Sequence, residues 1–176
     1  MKRFSIILLF CLSIKTVANA QEYKKIKVGC GIGYVLSNNF NDFGLLIYLE
    51  PAYRLRDNLS LGLRMESAGL DMTLLTPNIH AASYTLNVQY YFGKSRLKSI
   101  LGFGFGIFKF EHNYAPPTDF QPGIYLRTGF EIEHFNLTLD YNLTTKSANN
   151  KYNYLGIRTG IFFGGGKKKT LYQKGS

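Results

Sequence analysis
The sequence predicts an all-β fold: an eight-stranded, antiparallel, up-and-down transmembrane β-barrel. Three observations carry this expectation. Eight segments alternate bulky apolar residues with polar residues or glycine at a period of two, the period of a strand with unlike faces. The segments run nine to eleven residues, long against the ~5–6 of an average strand and close to the ~9–11 that carry a tilted strand across a bilayer. Tight turns and longer polar loops alternate between them, as at the two ends of a membrane barrel.

The first segment, IKVGCGIGYVL (26–36), sets Ile26, Val28, Cys30, Ile32, Tyr34 and Leu36 against Lys27, Gly29, Gly31 and Gly33. LLIYLEPAYRL (45–55) sets Leu45, Ile47, Leu49, Tyr53 and Leu55 against Tyr48, Glu50, Ala52 and Arg54. LSLGLRMES (59–67) sets Leu59, Leu61, Leu63 and Met65 against Ser60, Gly62, Arg64 and Glu66. SYTLNVQYYF (83–92) sets Tyr84, Leu86, Val88, Tyr90 and Phe92 against Thr85, Asn87 and Gln89. The fifth, LGFGFGIFKF (101–110), alternates Leu101, Phe103, Phe105 and Ile107 with Gly102, Gly104 and Gly106. GIYLRTGFEIE (123–133) and FNLTLDYNL (135–143) follow. YLGIRTGIFF (154–163) closes the set, with Leu155, Ile157, Ile161 and Phe163 against Gly156, Arg158 and Gly160.

The fifth segment decides which face points out. Phenylalanine on one side and bare glycine on the other suit lipid outside and a narrow, packed lumen inside. Closure leaves no unpaired strand edge in hydrocarbon. Phe108 and Phe110 fall on the glycine parity, which asks for a bulge near Ile107 or for emergence of the strand above the membrane. RDN (56–58), GKSR (93–96) and EH (133–134) are the tight turns of one end. SNNFND (37–42), DMTLLTPNIH (71–80), NYAPPTDFQP (113–122) and TTKSANNKYN (144–153) are the loops of the other. Pro77, Pro116, Pro117 and Pro122 then sit in loops; Pro51 alone sits mid-strand, where it removes a ladder hydrogen bond or marks a bulge. Tyr34, Tyr53, Tyr84, Tyr90, Phe92, Tyr141 and Phe163 fall mostly near strand ends, the place of interfacial girdles.

Residues 1–20 read as a secretory signal: a basic start at Lys2 and Arg3, the apolar run FSIILLFCLSI, and ANA before cleavage after Ala20. The barrel then occupies 24–163, and 164–176 form a basic tail expected in the periplasm. Loss of the signal leaves Cys30 alone, which excludes an internal disulfide and a thiolate-built metal site. Much of the net charge of +10 lies in the signal and in Lys167, Lys168, Lys169 and Lys174 of the tail. The body has no basic stripe, so nucleic acid is a poor partner.

The tight turns predict which charges meet inside. With Leu55 facing Leu59, Glu50 faces Arg64; with Ile132 facing Phe135, Arg127 faces Asp140. Glu66 and Arg158 lie at similar heights, giving a lumen belt of Glu50, Arg64, Glu66, Arg127, Asp140 and Arg158, three acids against three bases. Buried charges persist when paired. Such a belt reads as a packed polar core, with a gated conduit as the alternative. No catalytic set accompanies it. His80 and Ser83 point to opposite faces, His112 follows Glu111, and His134 sits in a tight turn. GCGIG (29–33) and GFGFG (102–106) have no helix after them to hold a phosphate, so no cofactor is expected.

Over residues 24–163 the chain resembles the small eight-stranded outer-membrane barrels, the OmpA/OmpX-type transmembrane domain and the PorT-like barrels. The resemblance rests on architecture. It departs in the thirteen residues after Phe163, where many such barrels end on an aromatic, and in having no peptidoglycan-binding domain. It implies a Gram-negative outer membrane, contact with outer-membrane lipid and lipopolysaccharide, and a structural or surface-interaction role. Extracellular loops would meet any protein partner; a secretion accessory is one concrete version. A lipid-modifying enzyme, a narrow channel and a soluble lipocalin-like ligand binder are the competing classes. The oligomeric state is left open.

Overall fold
In the computed structural model the described residues are 24–37, 43–73, 76–93, 96–112, 120–145 and 153–165; for 71–77 and 112 the description is of backbone alone. The expected signal, the tail beyond Gly165 and most of the loops 37–42, 113–122 and 144–153 lie outside them.

Alternation builds eight strands: β1 (Ile26–Ser37), β2 (Phe43–Arg56), β3 (Leu59–Thr73), β4 (Thr76–Phe92), β5 (Leu97–His112), β6 (Gln121–Ile132), β7 (Phe135–Thr144) and β8 (Tyr154–Gly164). Each pairs antiparallel with its chain neighbours, and β8 returns to β1, so the expected closed barrel is the fold observed. The closing seam runs from Lys27↔Gly164 to Ser37↔Tyr154. The Gly165 amide donates to the Ile26 carbonyl at 2.8 Å, which brings the start of β1 and the end of β8 together at the tight-turn end.

The parity of β5 holds along its length. Phe105 is 57% exposed on the outer surface. Leu101, Phe103 and Ile107 accompany it outward, while Gly102 and Gly104 are buried. Ile32, Ile47, Leu63, Leu86, Leu126, Leu139 and Ile157 continue the same apolar surface on the other strands. Exposed Tyr53, Tyr90, Phe92, Phe130, Phe135 and Phe163 ring it toward the tight turns, and Tyr34, Phe43 and Tyr84 toward the long loops. From Tyr84 to Phe92 the outward face of β4 runs ~27 Å along the strand, or about 20 Å along the axis at a tilt of ~40°. That is the scale of a ~25 Å lipid-facing band.

The bare side of β5 is occupied. A Cβ at Gly104 would overlap the ring of Tyr125, which lies fully buried against it. On the far side of the barrel, a Cβ at Gly31 would come 2.8 Å from the Tyr48 ring and overlap the backbone of β8. A tyrosine ring crowds both positions, and at Gly31 the β8 backbone lies closer still, so glycine is needed at each.

Phe108 and Phe110 need no bulge. The β4–β5 register runs unbroken through Ser83↔Phe108 and Ala81↔Phe110. Both rings are fully buried inside the barrel, in an apolar cluster with Val35, Leu46, Ala68, Leu70, Ile79 and Ala81.

Several expected boundaries move. β3, β4 and β5 are 15, 17 and 16 residues long, beyond the nine to eleven read from the alternation. DMTLLTPNIH is mostly strand: Thr73 pairs with Thr76, leaving only residues 74–75 between. Pro77 and Pro122 are therefore strand residues, opposite Met72 and Ile107. Each is tolerated because its other flank lies beyond the neighbouring ladder, which starts at Ile79↔His112 and at Gly123↔Thr144. At Pro51 the β2–β3 ladder is open between Leu49↔Met65 and Ala52↔Gly62 without a change of register, the signature of a missing donor. The bulge lies at Leu55, between Arg54↔Ser60 and Arg56↔Leu59, and shortens the RDN turn to Asp57 and Asn58.

The long strands make one side taller. Pairing with β2 ends at Leu45↔Gly69 and pairing with β6 ends at Phe108↔Gln121, so the upper ends of β3, β4 and β5 rise past their neighbours. The outward residues of this wall turn polar, with exposed Ser67, His80 and Glu111 and half-buried Lys109.

Phe105→Arg should destabilise the barrel in lipid by ~2–4 kcal/mol, read as a shifted urea midpoint in vesicles. Gly104→Ala sets a methyl group against Tyr125 and should cost ~1–3 kcal/mol. A wild-type midpoint for Phe105→Arg would contradict the outward parity.

Candidate functional site
Inward parity collects polar side chains from every strand into a lumen filled in three levels. At the tight-turn end, Glu131 of β6 accepts from Lys27 of β1 and, at 3.2 Å, from Arg54 of β2. The Lys27 ammonium lies 3.9 Å from the Phe162 ring centroid, and the Arg54 guanidinium 4.8 Å from that of Tyr91. Both cations thus cover aromatic faces while they neutralise one carboxylate.

The middle level holds the six residues read as a belt. Asp140 of β7 is fully buried and takes three arginines. Arg127 donates from Nε and Nη2 at 2.8–3.0 Å, and Arg64 from Nη1 at 2.8 Å. Arg158 Nη1 lies 2.7 Å from Oδ2. Each arginine has a further oxygen partner. Arg127 Nη1 reaches both oxygens of Glu50 at 2.8 Å. Arg158 donates to Glu66 through Nε at 2.9 Å and through Nη2. Arg64 Nη2 donates to Asn142 at 2.8 Å. The Arg64 guanidinium also lies 3.7 Å from the Tyr125 ring centroid, so the ring seated on Gly104 is the platform for this arginine. Tyr154 donates to Glu66 at 2.7 Å, and Asn87 and Gln89 donate to Glu50.

Arg127 and Asp140 are directly opposed on β6 and β7. Glu50 and Arg64 are level, since Tyr48↔Glu66 and Ala52↔Gly62 bracket them, but they do not pair. Glu50 is held by Arg127 from across the barrel, and Arg64 turns to Asp140 and Asn142. The expected Glu50–Arg64 pair is thus replaced by two contacts over the lumen axis. Adjacent-strand reasoning misses them because a guanidinium on a long stem reaches the opposite wall of so narrow a barrel.

The third level is the apolar cluster around Phe108 and Phe110, at the long-loop end. Between the lower two levels a polar cavity lined by Lys27, Tyr48, Glu50, Gln89, Tyr91 and Arg127 has about 10 Å³ of free space, on the order of one water-sized sphere. Sequence reasoning placed Lys27 and Arg54 on the inner face without assigning them partners, and missed Glu131 as the lower hub. The parity that marks Arg127 marks Glu131 as well, four residues on.

His80 is exposed on the outer surface while Ser83 is buried inside, so the two lie on opposite sides of the wall. His134, in its tight turn, has Nδ1 3.1 Å from the Phe162 carbonyl. Among the described residues no group of three or more histidine, cysteine, aspartate or glutamate side chains is placed to hold a metal. The belt carboxylates are consumed by arginines and amides, an arrangement suited to cross-bracing the wall.

No protein-family model matches the chain, and no curated protein matches it. Solved structures do. Neisserial surface protein A (NspA) superposes with a TM-score of 0.62 at 14% identity, over 79% of this chain and 95% of that one. The N-terminal β-barrel domain of Pseudomonas aeruginosa OprF gives 0.55 at 14% identity, over 80% and 99%. The outer membrane protein OprG from Pseudomonas aeruginosa gives 0.51 at 12% identity, over 82% and 98%. The chain has the fold of the small eight-stranded outer-membrane barrels.

The cross-lumen pairing makes a double-mutant test. Removing Arg127 strands Glu50 and should cost ~3–5 kcal/mol. In unfolding titrations, the coupling energy of Glu50 with Arg127 should exceed that of Glu50 with Arg64. The reverse order would restore the adjacent-strand pairing.

Proposed function
We propose that this chain is exported and spans a bacterial outer membrane with its tight turns in the periplasm, and that it serves as a structural or surface-interaction protein. The observation that carries the proposal is the filled lumen. A neutral charge network braces the middle, and an apolar cluster closes the long-loop end. A solute passing through would have to break both, and they yield to opposite conditions: screening and competing charge weaken the first, apolar solvation the second. Function is then left to the outside. The tall β3–β5 wall rises past its neighbours at the long-loop end and carries exposed His80 and Glu111 on its outer face. The apolar outer band with aromatic rings at both levels supports membrane residence. NspA, with the same fold, is by its name a surface protein.

An epitope inserted between Thr73 and Thr76 should be labelled on intact cells. One placed after Ser176 should be labelled only after permeabilisation, because an even number of strands returns the chain to its starting side. The reconstituted protein should give no stepwise conductance in a planar bilayer. Labelling after Ser176 on intact cells would overturn the orientation, and steady conductance would favour a conduit.

A further inference from the structure
We propose that the tight-turn rim is a basic collar that binds the anionic phosphate headgroups of phospholipids in the periplasmic leaflet; this rests on the membrane-spanning reading above.

The collar follows from where charges stand relative to the aromatic ring. Lys24 and Lys25 lead into β1, Arg56 ends β2 and Arg96 leads into β5. Lys24 and Arg56 are exposed and make no ion pair with any described residue, and the Arg96 side chain is 88% exposed. Among the described residues two carboxylates share the rim. Glu133 lies 3.4 Å from Arg96, in an exposed pair of the kind that water screens strongly. Asp57 is half-buried in the β2–β3 turn. Among the described residues, then, four bases face two acids at this rim. The opposite end shows no such imbalance among its described outward residues, where Lys109 is matched by Glu111 at 2.6 Å.

Height selects the partner. Tyr53 and Tyr90 lie just inside the rim, with Phe92, Phe130, Phe135 and Phe163 beside them. Aromatic rings at a barrel end mark the boundary between acyl chains and headgroups. Lysine and arginine one or two residues beyond that boundary stand at phosphate level, and their aliphatic stems let the cations reach it. The Asn58 side chain donates to the Tyr90 hydroxyl at 2.8 Å, which ties the β2–β3 turn to the ring. A headgroup phosphate arriving here meets the exposed cations of Lys24 and Arg56, which no described carboxylate pairs, and of Arg96, whose partner Glu133 is itself exposed to water. Such attraction is Coulombic and fades once salt shortens the Debye length from ~10 Å at 0.1 M to ~3 Å at 1 M.

The test uses the full mature chain, refolded into phosphatidylcholine vesicles that carry traces of spin-labelled phosphatidylglycerol or spin-labelled phosphatidylcholine. Co-flotation and resistance to unfolding in cold sodium dodecyl sulfate first establish insertion. The motionally restricted spectral component then reports lipid at the protein surface. Labelled phosphatidylglycerol should be enriched severalfold over labelled phosphatidylcholine at low salt, and the enrichment should collapse in 1 M salt. The Lys24→Gln/Arg56→Gln/Arg96→Gln variant should lose it at low salt, and Lys109→Gln should keep it. Equal association of both lipids with the inserted wild type would overturn the collar while leaving the spanning reading intact. Enrichment that survives the triple change, or that Lys109→Gln removes, would also overturn it. Failure to insert would overturn the spanning reading and the collar together. The salt series on the wild type decides the matter even if the triple variant does not fold.

Discussion
Asp140 is the constraint on which the interior depends. One buried carboxylate lies within hydrogen-bonding distance of Arg64, Arg127 and Arg158, which come from β3, β6 and β8. Three guanidinium groups around a single acid require further negative charge. Glu50 supplies it to Arg127 from β2, and Glu66 supplies it to Arg158 from β3. The six charges cancel. Their desolvation is offset by charge-assisted hydrogen bonds, supplemented by Asn87, Gln89, Asn142 and Tyr154. Such a network also sets register. A one-residue slip of any contributing strand would turn its ion out into the apolar surface.

The rest of the barrel follows from making room for that network. Arginine side chains directed at a common centre need platforms, and Tyr125 provides one beneath Arg64. Tyr125 in turn needs a strand with nothing at the facing position, and Gly104 meets the need. Tyr48 stands on Gly31 in the same way, and its hydroxyl donates to Asn136 at 3.0 Å. The glycine stripe of β5 and its phenylalanines are thus two consequences of one location, a wall between a crowded lumen and an apolar exterior. Above the network the lumen changes character to Phe108, Phe110, Leu70 and Ile79. An apolar layer there keeps water from the charges below, which strengthens every pair beneath it.

The fold was legible because strand parity is a local signal. Leu101, Phe103 and Phe105 against three glycines state it within a single segment. The six belt residues share a parity with their neighbours, and the two-residue turn at Glu133 and His134 fixes Arg127 opposite Asp140. Partners across the lumen were not legible. Parity and turn length set the face and height of Arg127, but not which inner-facing carboxylate its long side chain turns to. The top of β3 and β4 was hidden for another reason. Strands that rise past the apolar band need no apolar outward face, so DMTLLTPNIH has the composition of a loop while pairing as a hairpin. The turn at RDN was misjudged by one residue and the bulge at Leu55 made up the difference, leaving the register above it unchanged.

The claim that Asp140 holds the interior together is tested most directly by the stability of Asp140→Asn in lipid vesicles, measured beside Glu131→Gln from the lower level. The substitution keeps shape and removes one charge, leaving three arginines with two carboxylates. The account expects a loss of ~3–5 kcal/mol, larger than that for Glu131→Gln, where two cations keep aromatic faces to rest on. A loss no greater than that of Glu131→Gln would contradict it.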